Sequence, residues 1–130
     1  MPIVVGMRGE ASITVDQSHT AAAFGTGNVP TLAEAALVAL LERAAVNAIR
    51  RGLGDGEESI GRMIDVRHLA PTPIGKRVRA EAVVTSVEGR TVRFSVRASD
   101  AFADVGEGIH ERLVIDREQF IWSAASRGAV

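Results

Sequence analysis

The sequence predicts an α+β protein in which one long buried helix is wrapped by an antiparallel sheet. Residues 30–51 are apolar almost all the way round and rich in Ala, Leu, Glu and Arg, the composition of a strong and buried helix. From Ser59 onward, apolar and polar residues alternate in segments divided by proline and glycine. Within that region residues 77–87 and 90–99 flank a tight turn at Glu88-Gly89. In the second of these strands Val92, Phe94, Val96 and Ala98 face one way, and Thr91, Arg93, Ser95, Arg97 and Ser99 face the other. That pattern is a sheet with one wet face.

In chain order, residues 10–16 alternate and read as a first strand. Residues 17–28 mix Ser, His, Thr, Ala, Gly and Phe24 without a period, so a loop or loosely helical lid leads into the long helix. Thr31 is placed to cap that helix, and Glu34 completes a capping box. Winding at about 100° per residue sets Arg43, Asn47, Arg50 and Arg51 on a polar arc and leaves Glu42 among Ala35, Val38, Val46 and Ile49. The glycines of residues 52–56 are expected to supply the C-cap. Residues 63–69 form the next strand, and Pro71, Pro73 and Gly75 end it. After the hairpin and a second turn at 100–106, residues 107–115 form the last strand. Asp116 then has the spacing to start a short closing helix. The four strands after the helix are expected to run as meanders. A five-stranded antiparallel sheet around a central helix describes the hotdog fold.

With 130 residues the chain is expected to be one domain, with residues 1–8 and 123–130 as loose ends. Fifteen basic and sixteen acidic residues leave a net charge of −1, so neither nucleic acid nor an anionic membrane is an expected partner. The absence of cysteine excludes disulfides and a thiol nucleophile. No basic stretch precedes a long apolar one at the N-terminus, and no apolar run approaches the roughly 20 residues that span a bilayer. The cytoplasm is the expected compartment.

Glu42 is the first functional candidate, because a carboxylate on an apolar helix face must find a cation, find hydrogen bonds or take up a proton. The bland alternative is a structural ion pair with Arg67, Arg79, Arg93 or Arg112. His68 follows Ile64 and Val66 at strand spacing, and an imidazole there would orient Glu42 or carry a proton, unless it is a satisfied core residue. Gly61 lets substrate approach the backbone closely, which makes its amide an oxyanion-donor candidate. His19 is read as solvated. His110, sharing strand parity with Arg112, ranks below His68. No metal site is expected from these spacings, and the glycines at 52–56 close a helix instead of opening one, so they are not a phosphate loop.

Five segments in order carry a resemblance: 37–45 (LVALLERAA), 56–61 (GEESIG), 66–75 (VRHLAPTPIG), 86–90 (SVEGR) and 108–112 (GIHER). Together, across about residues 29 to 120, they resemble the fluoroacetyl-CoA thioesterase-like family of hotdog proteins. The resemblance implies a homodimer with its acyl-thioester site at the subunit interface, releasing a carboxylic acid from coenzyme A with no cofactor. In that family a helix glutamate and a strand histidine, matched by Glu42 and His68, act with a threonine eight residues before the glutamate. Here that position is Glu34, with Thr31 one turn earlier. For Thr31 and Glu34 the capping box is the competing reading. Gly61 matches a glycine whose N–H faces the thioester. Arg112 matches an arginine near the site, its other reading being an ion-pair partner of Glu42 or Glu111. Phe24 alone stands where the family has an aromatic lid, so selection of a fluorinated acyl group is not predicted.

The expected activity is hydrolysis of a small or medium acyl-CoA. The alternatives are a non-catalytic acyl-CoA-binding or structural hotdog dimer and, below it, an enoyl-CoA hydratase.

Overall fold

A computed structural model describes residues 2–128; Met1, Ala129 and Val130 lie outside the described residues, and with them the outermost parts of the two expected loose ends. Five strands, β1 (Arg8–Thr14), β2 (Glu57–His68), β3 (Arg77–Glu88), β4 (Thr91–Ser99) and β5 (Asp104–Asp116), make one antiparallel sheet in the order β1-β3-β4-β5-β2. A short helix α1 (Ala21–Phe24), the long α2 (Glu34–Ile49) and a closing α3 (Arg117–Ser126) complete the chain. α3 is capped by the Asp116 side chain, as its spacing predicts, and continues through Ser126 into the stretch expected to be a loose tail.

The sheet corrects the expected four-strand meander. Only β3, β4 and β5 follow one another as neighbours; β2 crosses to the far edge and pairs with β5. The proline-bearing connection after β2 enforces this. Leu69 N–H donates to Val105 O at 2.7 Å, and Leu32 N–H donates to Thr72 O at 2.8 Å, tying that connection to β5 on one side and to the approach to α2 on the other.

That approach is also why the predicted capping box does not form. Thr31 is held in a bridge to Pro73 and its carbonyl accepts from Ala21 N–H, so the backbone stays extended until Ala33, which caps α2 without a side-chain bond. The far end differs too: α2 tightens into a 3-10 turn at Arg50–Gly52 with no left-handed residue, and among glycines 52, 54 and 56 only Gly56 has positive φ. His19 is not simply solvated; Asp16 N–H donates to its Nδ1 at 2.9 Å in a capping box of the preceding 3-10 turn.

α2 lies on the inner face of the sheet, and small residues let it come close. Ala44, Ala45 and Ala48 face Ala80, Ala82 and Ala98 in the core, with Leu37, Leu40, Leu41, Ile49 and Phe94 filling the wider space. A Cβ on Gly9 would overlap the backbone of Ala44 and Ala48. The helix is not buried all round, however: Val38, Glu42 and Val46 are half-buried and Ala35 and Ala39 exposed, one stripe beside the β2 edge. Among the described residues no helix is long and apolar enough to cross a membrane. Replacing Gly9 by alanine is expected to destabilise the protein by about 1–3 kcal/mol, measured by urea denaturation, because neither backbone can yield.

Candidate active site

The site is built where α2 meets a bulge in β2. Gly61 lies opposite Arg112 and Met63 opposite Glu111, so Arg62 is an extra residue on β2. The bulge shifts the inward-facing positions of β2 by one, and the middle turns of α2 pack over it. His110 and Arg112, alternate residues of β5, both point inward.

Arg112 is 6% exposed, and its donors are almost fully engaged. Nη1 donates to Glu42 Oε2 at 3.0 Å, Nε to Ser59 Oγ at 2.9 Å and Nη2 to the Ser59 carbonyl at 2.9 Å. Burial pushes the guanidinium below its ordinary pKa while the Glu42 carboxylate pulls it back up, and it remains a cation. Nη1 also lies 3.2 Å from His110 Nε2, and His110 Nδ1 lies 2.7 Å from the Met63 carbonyl. A carbonyl can only accept, so the ring proton is on Nδ1, and Nε2 accepts from Arg112. Burial, first of all, holds the His110 pKa below its usual range; the Met63 hydrogen bond opposes this, Arg112 adds to it and Glu42 opposes it. His110 is therefore neutral, and its 4.0 Å approach to Glu42 is not an ion pair. Phe94 stacks on its ring at 5.8 Å between centroids.

This network leaves Glu42 held through one oxygen and 36% exposed at its side chain, facing a pocket of about 230 Å³ lined by Glu42, Gly61, Arg62, Met63, Ile64 and His110. A Cβ on Gly61 would stand 2.5 Å from Glu42 Oε2, so a side chain there would make the carboxylate shift. A larger cleft of about 540 Å³ lies on the outer face of the sheet around Arg67, Arg97 and Glu107, but these charges sit opposite one another in register.

The structure thus brings together Glu42, Gly61 and Arg112, and adds His110, Ser59 and the Met63 carbonyl. Parity with Arg112 already pointed to His110, whereas nothing in the sequence pattern marks Ser59, which is placed by the β2–β5 register. Within one chain His68 stands apart from Glu42. It ends β2 opposite Gly106, seven residues from Gly61, roughly 20 Å along the strand. A Cβ on Gly106 would meet Leu37, so this end of β2 faces the beginning of α2, where Glu34 is exposed and Thr31 half-buried. The Nε2 of His68 is buried without a hydrogen-bond partner. Phe24 is 48% exposed at the end of α1 and is not part of the Glu42 pocket.

The profile of the fluoroacetyl-CoA-specific thioesterase family matches residues 15–118. The chain belongs to this family. The fluoroacetyl-CoA thioesterase of Streptantibioticus cattleyicolor is 44% identical over 84 residues, 65% of this chain, and the match spans 60% of that relative's length. A threonine-to-serine mutant of the fluoroacetyl-CoA enzyme FlK, solved with acetyl-CoA, superposes with a TM-score of 0.89 at 32% identity over 97% of this chain and 99% of the other. A hot-dog-like protein from Thermanaerovibrio acidaminovorans superposes with a TM-score of 0.87 at 26% identity over 97% and 93% of the two chains. The fold is therefore the hotdog fold expected from the element order, and the family resemblance read from the five segments holds.

The neutral His110 makes stability depend on pH. Its folded pKa lies below the unfolded value of about 6.5, so the unfolded chain binds the extra proton and stability falls as pH drops through that value. In His110→Asn the amide replaces the donor to Met63 and does not titrate. Thermal melts from pH 7.5 to 5 are expected to show a shallower loss of Tm for this variant than for the parent.

Proposed function

We propose that the chain is a one-domain acyl-CoA thioesterase that hydrolyses a small or medium acyl-CoA to the free acid and coenzyme A, working as a homodimer in the cytoplasm. The observation that carries the chemistry is the Glu42 carboxylate, fixed by Arg112 beside a glycine at an open pocket. Glu42 takes a proton from water as the water oxygen bonds to the thioester carbon, or attacks that carbon itself to give an anhydride that water then opens. Gly61, on the free edge of β2, offers its N–H to the oxyanion of the tetrahedral intermediate. Collapse breaks the carbon–sulfur bond, and the departing sulfur receives a proton from Glu42 or an imidazole.

That imidazole is His68 of the partner subunit. β2 is an edge strand, and pairing two copies antiparallel about an axis at Asp65 aligns Gly61 with the partner's His68, each three pairing positions from Asp65 once the bulged Arg62 is skipped. The half-buried Val38 and Val46 on either side of Glu42 would be covered by the same contact. Support for coenzyme A as the carrier comes from the family and from its relatives' named substrates. Fluoroacetyl selection is not proposed, since Phe24 is the one aromatic in the lid segment.

The test is free-thiol release from a panel of acyl-CoAs. Glu42→Ala and His68→Ala are each expected to lose about 10²–10⁴-fold in kcat while remaining folded dimers. Mixing the two inactive variants under subunit exchange should restore roughly one quarter of wild-type activity, since half of random dimers are mixed and each mixed dimer carries one intact site. No recovery with proven exchange would overturn the shared site. A second reading, a non-catalytic acyl-CoA-binding dimer, is favoured by Glu34 at the family's threonine position; it takes over if wild type shifts its Tm with acyl-CoA yet releases no thiol from any.

A further inference from the structure

A thioesterase for coenzyme A must also hold the nucleotide end of its substrate, and one cleft fits it. The start of β3 and the β4–β5 turn enclose about 330 Å³ lined by Lys76, Arg77, Arg79, Ser99, Asp100 and Phe102. Phe102 is 83% exposed, with Lys76 Nζ 5.9 Å from its ring centroid. The cations are not equivalent. Arg79 is already paired with Glu10, and Arg77 donates only to the Ser12 hydroxyl at 3.1 Å. Asp100, the cleft's carboxylate, accepts from the Phe102 and Ala103 N–H groups through Oδ1, which shapes the turn that carries the aromatic ring. An exposed aromatic face beside two cations that have no carboxylate partner among the described residues is the combination that stacks a base and neutralises phosphates.

We propose that this cleft binds the adenosine 3′-phosphate 5′-diphosphate end of the acyl-CoA, with the adenine on Phe102 and the phosphates on Lys76 and Arg77. The inference rests on the thioesterase reading above. Its geometry follows the sheet: His68, Gly106, Ala98 and Ala80 are one row across four strands, so β3 at this level lies about 14 Å from β2 at the usual strand spacing. The turn bearing Phe102 lies nearer still, because Val105 accepts from Leu69, the residue after His68. The pantetheine arm between sulfur and pyrophosphate has as many chain atoms as about four extended residues, ~14 Å. Arg77 and Arg79 alternate with the buried Val78 and Ala80 and so face outward, and the arm from a thioester beside the His68 that a subunit lends would run to them around that same subunit's β4–β5 turn.

The test compares acyl-CoA with the matching acyl-pantetheine, which lacks the nucleotide, on wild type, Lys76→Glu and Phe102→Ala. Both side chains are at the surface, distant from Glu42. The variants should raise KM for acyl-CoA by about tenfold, the size of one lost base–aromatic contact, with kcat unchanged and acyl-pantetheine kinetics unaltered. Unchanged KM for acyl-CoA, or equal losses on both substrates, overturns the cleft assignment. If wild type hydrolyses neither substrate, the thioesterase reading fails, and calorimetry with coenzyme A itself decides the cleft: weaker binding by the variants sustains it, equal binding refutes it. Lys76 is also the chain's single lysine. Saturating coenzyme A should slow its modification by an amine-directed reagent, and pantetheine should not.

Discussion

A buried guanidinium is costly unless every side of it is met, and the centre of this structure is organised to meet Arg112. Its partners come from three elements: Glu42 on α2, Ser59 on β2 and His110 on β5 itself. Satisfying that one cation fixes the height of α2 against β2 and sets which carboxylate oxygen is tied and which is left for chemistry. It also selects the histidine tautomer, because a donor on Nη1 needs a lone pair on Nε2, and the Met63 carbonyl needs a proton on Nδ1.

The bulge and the glycine serve the same end. Without the extra residue at Arg62, the β2 positions after Gly61 would turn inside out relative to β5, and the Met63 carbonyl would not stand over His110. With any side chain at 61, the carboxylate of Glu42 would have to shift from its place beside Arg112. Both features belong to an edge strand, which keeps the site accessible and leaves unpaired backbone groups beside it.

Much of this was legible in the sequence because it is written in periodicities. The alternation of Val92, Phe94, Val96 and Ala98 placed the inner face of β4, and a lone carboxylate on an apolar helix marked Glu42. What depends on pairing was not legible. Nothing local in 57–68 says that this strand crosses to β5, so the meander was overextended and Ser59 went unnoticed. The shared face of Ile64, Val66 and His68 gave the direction of the imidazole but not the distance along the strand that separates it from Glu42. Thr31 has the right spacing for a cap, yet the Ala21 N–H on its carbonyl and the Leu32–Thr72 hydrogen bond of the bridge beside it hold its backbone extended.

The uncapped start of α2 gives Glu34 a structural task. Ala33 offers no side chain to the first free N–H groups, and Glu34 is the acidic residue of the first turn, where negative charge offsets the helix dipole. Glu34 is thus an electrostatic anchor for the helix that carries Glu42. A neutral side chain at position 34 would leave the positive end of that helix without its one first-turn carboxylate.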